Sequence, residues 1–132
     1  MDLFDNTLKA LERSLDLYYK RHQILASNAA NSETPKYQAR ELDFAGELDK
    51  ALGNAAEPLV KTNPLHMDLT TSEGPRILPD NTGAVGADGN NVDIDINMGK
   101  ISANARKYTS NVELLNVKLQ MLRMAARGTG GF

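Results

Sequence analysis

Apolar residues recur at alternating four- and three-residue steps over both ends of this 132-residue chain. Near the N-terminus the stripe is Phe4, Leu8, Leu11, Leu15, Tyr18, His22, Leu25 and Ala29, with no Gly or Pro inside it. That spacing is one face of a helix that meets a partner helix, and it predicts a helix over residues 4–31. Pro35 biases Thr34 away from helical backbone, and Asn31 and Ser32 suit a turn. The second stripe is Ile94, Met98, Ile101, Ala105, Tyr108, Val112, Leu115, Leu119, Leu122 and Ala126. Asp88-Gly89-Asn90-Asn91 ahead of it supplies turn and cap candidates, and Asp93 and Asp95 suit the positive end of a helix dipole. Gly128 suits the exit, whereas Gly99 costs about 1 kcal/mol against Ala and marks a candidate bend.

Two matching stripes at opposite ends predict a mainly α fold, with long terminal helices paired as an antiparallel hairpin or coiled coil. Its expected seam is Leu8, Leu11, Leu15, Tyr18 and Leu25 against Ile101, Tyr108, Val112, Leu115, Leu119 and Leu122. The chain then divides into an N-terminal helix over 1–34, an irregular middle over 35–91 and a C-terminal helix over 92–132. Within the middle, Leu42, Ala45, Leu48 and Leu52 share one face of a possible short helix over 41–52. Residues 53–91 are rich in Gly and Pro and show only apolar scraps such as Pro58-Leu59-Val60 and Arg76-Ile77-Leu78. Extended, partly β-like pieces and loop are expected there, not a core.

Both helices carry apolar residues off the main stripe. Leu114, Val117, Met121 and Met124 follow one another at 3-4-3 spacing, about 150° around the helix from the seam. Leu3, Ala10, Leu17 and Ile24 recur every seven residues on the first helix. A two-helix hairpin buries one face of each helix, so a second apolar face needs another cover. Either the middle segment folds back over it, or neighbouring subunits do. Leu17, Ile24, Leu114, Val117, Met121 and Met124 are therefore candidates for inter-subunit contact.

Composition narrows the chemistry. Cys is absent, which removes disulfides, thiolate metal sites and Cys nucleophiles, and only His22 and His66 are available for imidazole chemistry. Aromatics make up 5% of the chain, so it is poor in the side chains that usually anchor a compact core. Residues 92–132 carry six positive and three negative charges, too few to form a nucleic-acid footprint. No apolar run approaches a membrane span, and the first residues lack the pattern of a cleaved signal peptide. The aspartates from Asp88 to Asp95 miss the EF-hand ligand positions in either register, and no serine sits in a nucleophile elbow. The reading is a non-enzymatic chain with no cofactor, no metal, no small-molecule substrate and no nucleic-acid partner.

Leu25-Ala26-Ser27-Asn28-Ala29-Ala30-Asn31-Ser32-Glu33-Thr34-Pro35-Lys36-Tyr37 resembles the signature of bacterial flagellar basal-body rod and hook proteins. There the first helix ends in an Asn-x-Ala-Asn-x-x-Thr-Pro-Gly-aromatic turn, matched here by Asn28, Ala30, Asn31, Thr34, Pro35 and Tyr37. Lys36 stands where the family has Gly, which predicts a negative φ at that position. Asp88, Gly89, Asn90, Val92 and Asp93 at the entry to the last helix are similar to the proximal-rod members, as is the short length. The resemblance implies a structural rod subunit that polymerises through its terminal helices into the torque-transmitting drive shaft. It further implies export without a cleaved signal through the flagellar type III apparatus, and a place in the periplasmic rod. The implied partners are other rod subunits and the basal-body base, in the region of the MS ring and export gate. A free-standing helical adaptor or export chaperone, using the same coiled coil, is the alternative.

Overall fold

The computed structural model describes residues 2–53 and 74–128, and the side chains of residues 6–53 and 74–128. Pro58-Leu59-Val60, His66 and Leu3 and Phe4 as side chains fall outside that description. In chain order the elements are α1 (Asp2–Ala30), β1 (Arg40–Leu42), α2 (Phe44–Ala51), β2 (Ile77–Pro79) and α3 (Ile94–Gly128). The molecule is mainly helical, as the two stripes require. Among the described residues no helix is long and apolar enough to cross a membrane.

α1 and α3, 29 and 35 residues long, pack against each other. Their direction is fixed by cross-helix hydrogen bonds. Asn97 Nδ2 donates to the Leu25 carbonyl at 2.9 Å, and Asn104 Nδ2 donates to the Tyr18 carbonyl at 2.9 Å. Seven residues up α3 match seven residues down α1, so the pair is antiparallel. α3 runs unbroken through Gly99. Its cap is Asp93, whose Oδ1 accepts from the Asp95 and Ile96 amides at 2.9 and 3.1 Å.

The middle of the chain braces one side of this pair. β1 and β2 run antiparallel, with Arg40 opposite Pro79 and Leu42 opposite Ile77. The Asp43 amide donates to the Arg76 carbonyl at 3.0 Å and the Asp80 amide to the Ala39 carbonyl at 2.8 Å, which lengthens the ladder at both ends. A lone two-stranded ribbon is marginal in water; here Ala39 and Leu42 are buried and hold it to the helices. Because residues 40–42 pair as a strand, the helix expected over 41–52 starts only at Phe44. Asp43 caps it by accepting from the Gly46 amide at 3.1 Å, and Gly53, with φ 74°, follows its last turn. Phe44 stacks on Tyr18, ring centroids 4.5 Å apart, which fixes α2 against α1.

Candidate functional site

The seam differs from the expected one in its chemistry. Leu11 and Leu25 are buried, and Leu8, Leu15 and Tyr18 are half-buried. On α3, Ile101, Val112, Leu115 and Leu122 are half-buried, but Tyr108 is 41% exposed and Leu119 38% exposed. Ile94 and Met98 are likewise exposed, as is His22. The residues at the centre of the α3 seam are Asn97 and Asn104, both buried, followed by half-buried Asn111. Asn111 Nδ2 reaches Ser14 Oγ at 3.3 Å, and that hydroxyl donates to the Leu11 carbonyl at 2.8 Å. Asparagine thus recurs every seventh residue, and the apolar stripe is rotated to flank this polar ladder. Tyr108 and Leu119 move outward because the asparagines occupy the closest approach, where short side chains can reach the opposing backbone.

The same seven-residue series begins before the helix, at Asn90. Its Nδ2 lies 2.8, 3.0 and 2.8 Å from the carbonyl oxygens of Asn31, Ser32 and Thr34. Those carbonyls belong to the exit of α1, which has no further helical turn to satisfy them. Asn31 and Thr34 complete the turn: Thr34 Oγ1 donates to Asn31 Oδ1 at 3.1 Å, and Asn31 Nδ2 donates to the Ser27 carbonyl at 2.8 Å. Asn28, 1% exposed, works in the opposite direction along the chain. It donates to the Arg40 carbonyl at 2.7 Å and accepts from the Arg40 amide at 3.0 Å, pairing with β1 as a neighbouring strand would. Tyr37 OH donates to the same Asn28 Oδ1 at 3.3 Å. Asn91 closes the junction by accepting from the Ala39 amide at 2.6 Å and donating to the Asp80 carbonyl at 2.8 Å.

Of the motif residues, Asn28, Asn31, Thr34, Tyr37 and Asn90 therefore meet in one junction, Gly89 joins it through its carbonyl, which accepts from Gln38 Nε2 at 2.9 Å, and Asp93 caps α3 beside it. Asp88 contributes its carbonyl, which accepts from the Lys36 amide at 3.0 Å, and its Oδ1, which accepts from the Asn90 amide at 3.1 Å. Val92 is half-buried there, and Ala30 is simply the exposed last residue of α1. Pro35 acts through backbone. Tyr37 N–H bonds the Thr34 carbonyl at 3.2 Å, leaving Pro35 second and Lys36 third in a reverse turn. The negative φ expected at Lys36 is corrected: φ is 60°. The turn has type II character, which demands a left-handed third residue whatever its side chain, and the Asp88 contact holds the Lys36 amide in that pose. Lys36→Gly is expected to stabilise the fold by about 0.5–1 kcal/mol, the left-handed penalty less the backbone entropy of Gly. A thermal midpoint at or below that of the parent chain would contradict the strain.

A charged cluster ties the brace to both helices. Arg21 Nε and Nη2 donate to the two Glu41 oxygens at 2.8 and 3.1 Å. Lys100 Nζ from α3 lies 3.5 Å from Glu41 and bonds Asp80 Oδ2 and, at 3.0 Å, Thr82 Oγ1. Burial pushes the Glu41 carboxyl up, but the Arg21 hydrogen bond and charge, the Leu42 amide and Lys100 hold it below its ordinary value. Burial likewise opposes ionisation of Asp80, and the bonds from Lys100 and Thr82 outweigh it and bring the carboxyl down. Groups held low in the folded state stabilise fully above their unfolded pKa values, about 4.3 for Glu and 3.9 for Asp. That contribution is lost as pH falls further, through the folded values. Melting followed from pH 7 down to about 3 is expected to show a falling midpoint below about pH 4. Glu41→Gln should flatten the decline; an equally steep fall in that variant would remove Glu41 from its cause.

Off the seam, the two helices differ. Leu17, a candidate for contact with a neighbour, is buried within the chain on the flank of α1 where α2 packs. Ile24 is half-buried beside Tyr37, Arg40 and Ile77. Leu114, Val117, Met121 and Met124 on α3 stay exposed, the last at 65%. Among the described residues the intramolecular cover thus applies to α1, and these four residues of α3 stay exposed. Sequence reasoning missed Asn97, Asn104 and Asn111, although the seven-residue recurrence of Asn from 90 to 111 was a readable signal, and it read Asn91 only as a turn or cap candidate. It also missed the Arg21–Glu41–Lys100–Asp80 cluster, for which no local pattern exists.

These features define a helical-hairpin protein in which buried polar side chains join backbone to backbone. No family model matches the chain. It is 33% identical over 131 residues to the flagellar basal body rod protein FlgB of Proteus mirabilis, covering 92% of this chain and 94% of that protein. It is 31% identical over 138 residues to the protein of that name from Salmonella typhimurium, and 30% over 129 residues to that of Bacillus subtilis. Both of these alignments cover 97% of this chain and 98% of the relative. The chain belongs to the FlgB family of flagellar basal body rod proteins.

Proposed function

We propose that the chain is a self-assembling structural subunit of the flagellar rod, joining its proximal part and polymerising through α1 and α3 into the shaft that carries torque. Its work is mechanical: side chains bind backbone and neighbouring subunits, and none is assigned a covalent step. In this reading it travels through the flagellar type III export apparatus and takes its place among other rod subunits at the basal-body base. The inner helix pair and the middle brace act as the three parts expected over 1–34, 35–91 and 92–132. The observation that carries the reading is the exposed apolar strip of α3 on a chain matched along nearly its whole length by rod proteins. An isolated soluble chain gains nothing from such a strip, whereas a subunit buries it.

Met121→Asp tests this without touching the hairpin seam. The variant is expected to keep its helical content, and its stability within about 0.5 kcal/mol of the parent, yet fail to restore swimming to cells lacking the parent gene. Swimming at the parental level with normal basal bodies would contradict the reading.

A further inference from the structure

On the flank that faces α2 and the β-ribbon, α1 borders a groove with an apolar floor and a basic rim. At one end Arg13, Leu17, Lys20, Lys50 and Pro75 line a space of about 700 Å³. The groove continues past Lys20, Ile24, Pro75, Arg40 and Ile77, and on to Arg40, Ile77, Tyr37 and Lys36. Lys20 and Pro75 are common to the first two stretches, Arg40 and Ile77 to the last two, so the groove is continuous. Its volume at one end alone exceeds what an inorganic anion fills. The lining carries five bases, Arg13, Lys20, Lys36, Arg40 and Lys50, and two acids, Asp16 and Glu47. Glu47 is paired with Lys50 at 2.9 Å. Among the described residues no ion pair engages the side chains of Arg13, Lys20, Lys36 or Arg40, and Asp16 is the one unpaired acid set against them.

We propose that this groove is the docking site of an acidic amphipathic helix belonging to another protein. The shape of the guest follows from the spacing on α1. Leu17 and Ile24 stand seven residues apart, and Arg13 and Lys20 precede them by four, so apolar floor and cationic flank repeat with the period of a helix that meets another helix. Its charge follows from the rim. Unpaired cations around an apolar floor favour a guest that brings carboxylates with its apolar side chains, and they reject a basic one. A second copy of this chain offering its exposed strip from Leu114 to Met124 is such a basic guest. That strip runs beside Lys118, Arg123 and Arg127, and no acid follows Glu113. The groove lies on a different helix from that strip, so the inference does not depend on the assembly reading.

Fluorescence anisotropy on the full chain tests this with a labelled peptide of about 14 residues, the span of α1 along the groove, built from Glu, Leu and Ala with Leu at 3-4 spacing. The acidic peptide should bind the parent, and its Lys-for-Glu counterpart should bind about tenfold more weakly or less. Arg13→Glu combined with Lys20→Glu should weaken the acidic peptide by about tenfold or more. The equal charge change on α3, Arg123→Glu with Arg127→Glu, should alter it by less than about twofold, since those bases lie outside the groove. All four side chains are exposed, so circular dichroism should show both variants folded. No binding of the acidic peptide overturns the proposal, as does an equal loss in the two variants. Displacement by millimolar inorganic phosphate at constant ionic strength overturns it in favour of an anion site. Sedimentation showing self-association of the parent that Arg13→Glu with Lys20→Glu abolishes overturns it in favour of a second copy. The α3 strip is read separately, by Met121→Asp.

Discussion

Asn28→Ala is expected to lower stability by about 2–3 kcal/mol, a large effect for a residue without charge or bulk. The cost arises because the Arg40 amide and carbonyl both lose their side-chain partner, while the Tyr37 hydroxyl loses one of two and keeps Ser27 Oγ at 3.4 Å. Each polar group left unpaired in a part-buried site costs about 1–3 kcal/mol, partly recovered where water can enter. Tyr37→Phe, which removes one of those bonds and leaves the backbone pairing intact, should cost about 1 kcal/mol. Hydrogen exchange supplies an independent readout, since the Arg40 amide should exchange faster in Asn28→Ala and hardly change in Tyr37→Phe. Equal stability losses in the two variants would contradict the strand-like role of Asn28.

Leu25→Ala should cost more, about 3–4 kcal/mol. Leu25 is fully buried at 0% exposure and its own carbonyl accepts from Asn97, so truncation opens a cavity where apolar packing and the polar ladder coincide. Leu114→Ala on the exposed strip of α3 should leave the isolated chain within about 0.5 kcal/mol of the parent. The contrast separates the residues that fold the chain from the exposed strip to which the proposal above assigns assembly. If Leu25→Ala melted with Leu114→Ala, the described seam would not be where the stability resides.

Both long helices are legible in the sequence because seam and solvent alternate with helical period along uninterrupted segments. Their pairing and their caps follow from the same pattern. The chemistry of the seam was not legible, since a search for apolar residues at 4-3 spacing passes over Asn97, Asn104 and Asn111 one position away. It selects Ile94, Met98, Tyr108 and Leu119 instead, which border the contact or face solvent. Lys36 was misread for a different reason. A left-handed φ is a demand of the turn and of the Asp88 carbonyl, which a rule about side-chain preference cannot see. The Asn28 and Asn90 motif positions were found as a signature, but their work, pairing with strand and turn backbone far along the chain, depends on contacts that no local window contains. Leu17 shows the same limit, being covered on the side where a short helix from the middle packs.

A helix pair held in register by asparagines belongs to a rod-protein family, and assembly through the exposed strip of α3 is the proposal built on it. Quantitative detection of the chain in purified basal bodies, against the cytoplasmic fraction of the same cells, tests that proposal most directly. The expected result is retention with the rod through detergent extraction of the membranes, lost in Met121→Asp while the variant remains folded in the cytoplasm. Basal bodies free of the parent chain, with the protein recovered as a stable soluble monomer or dimer, would contradict it.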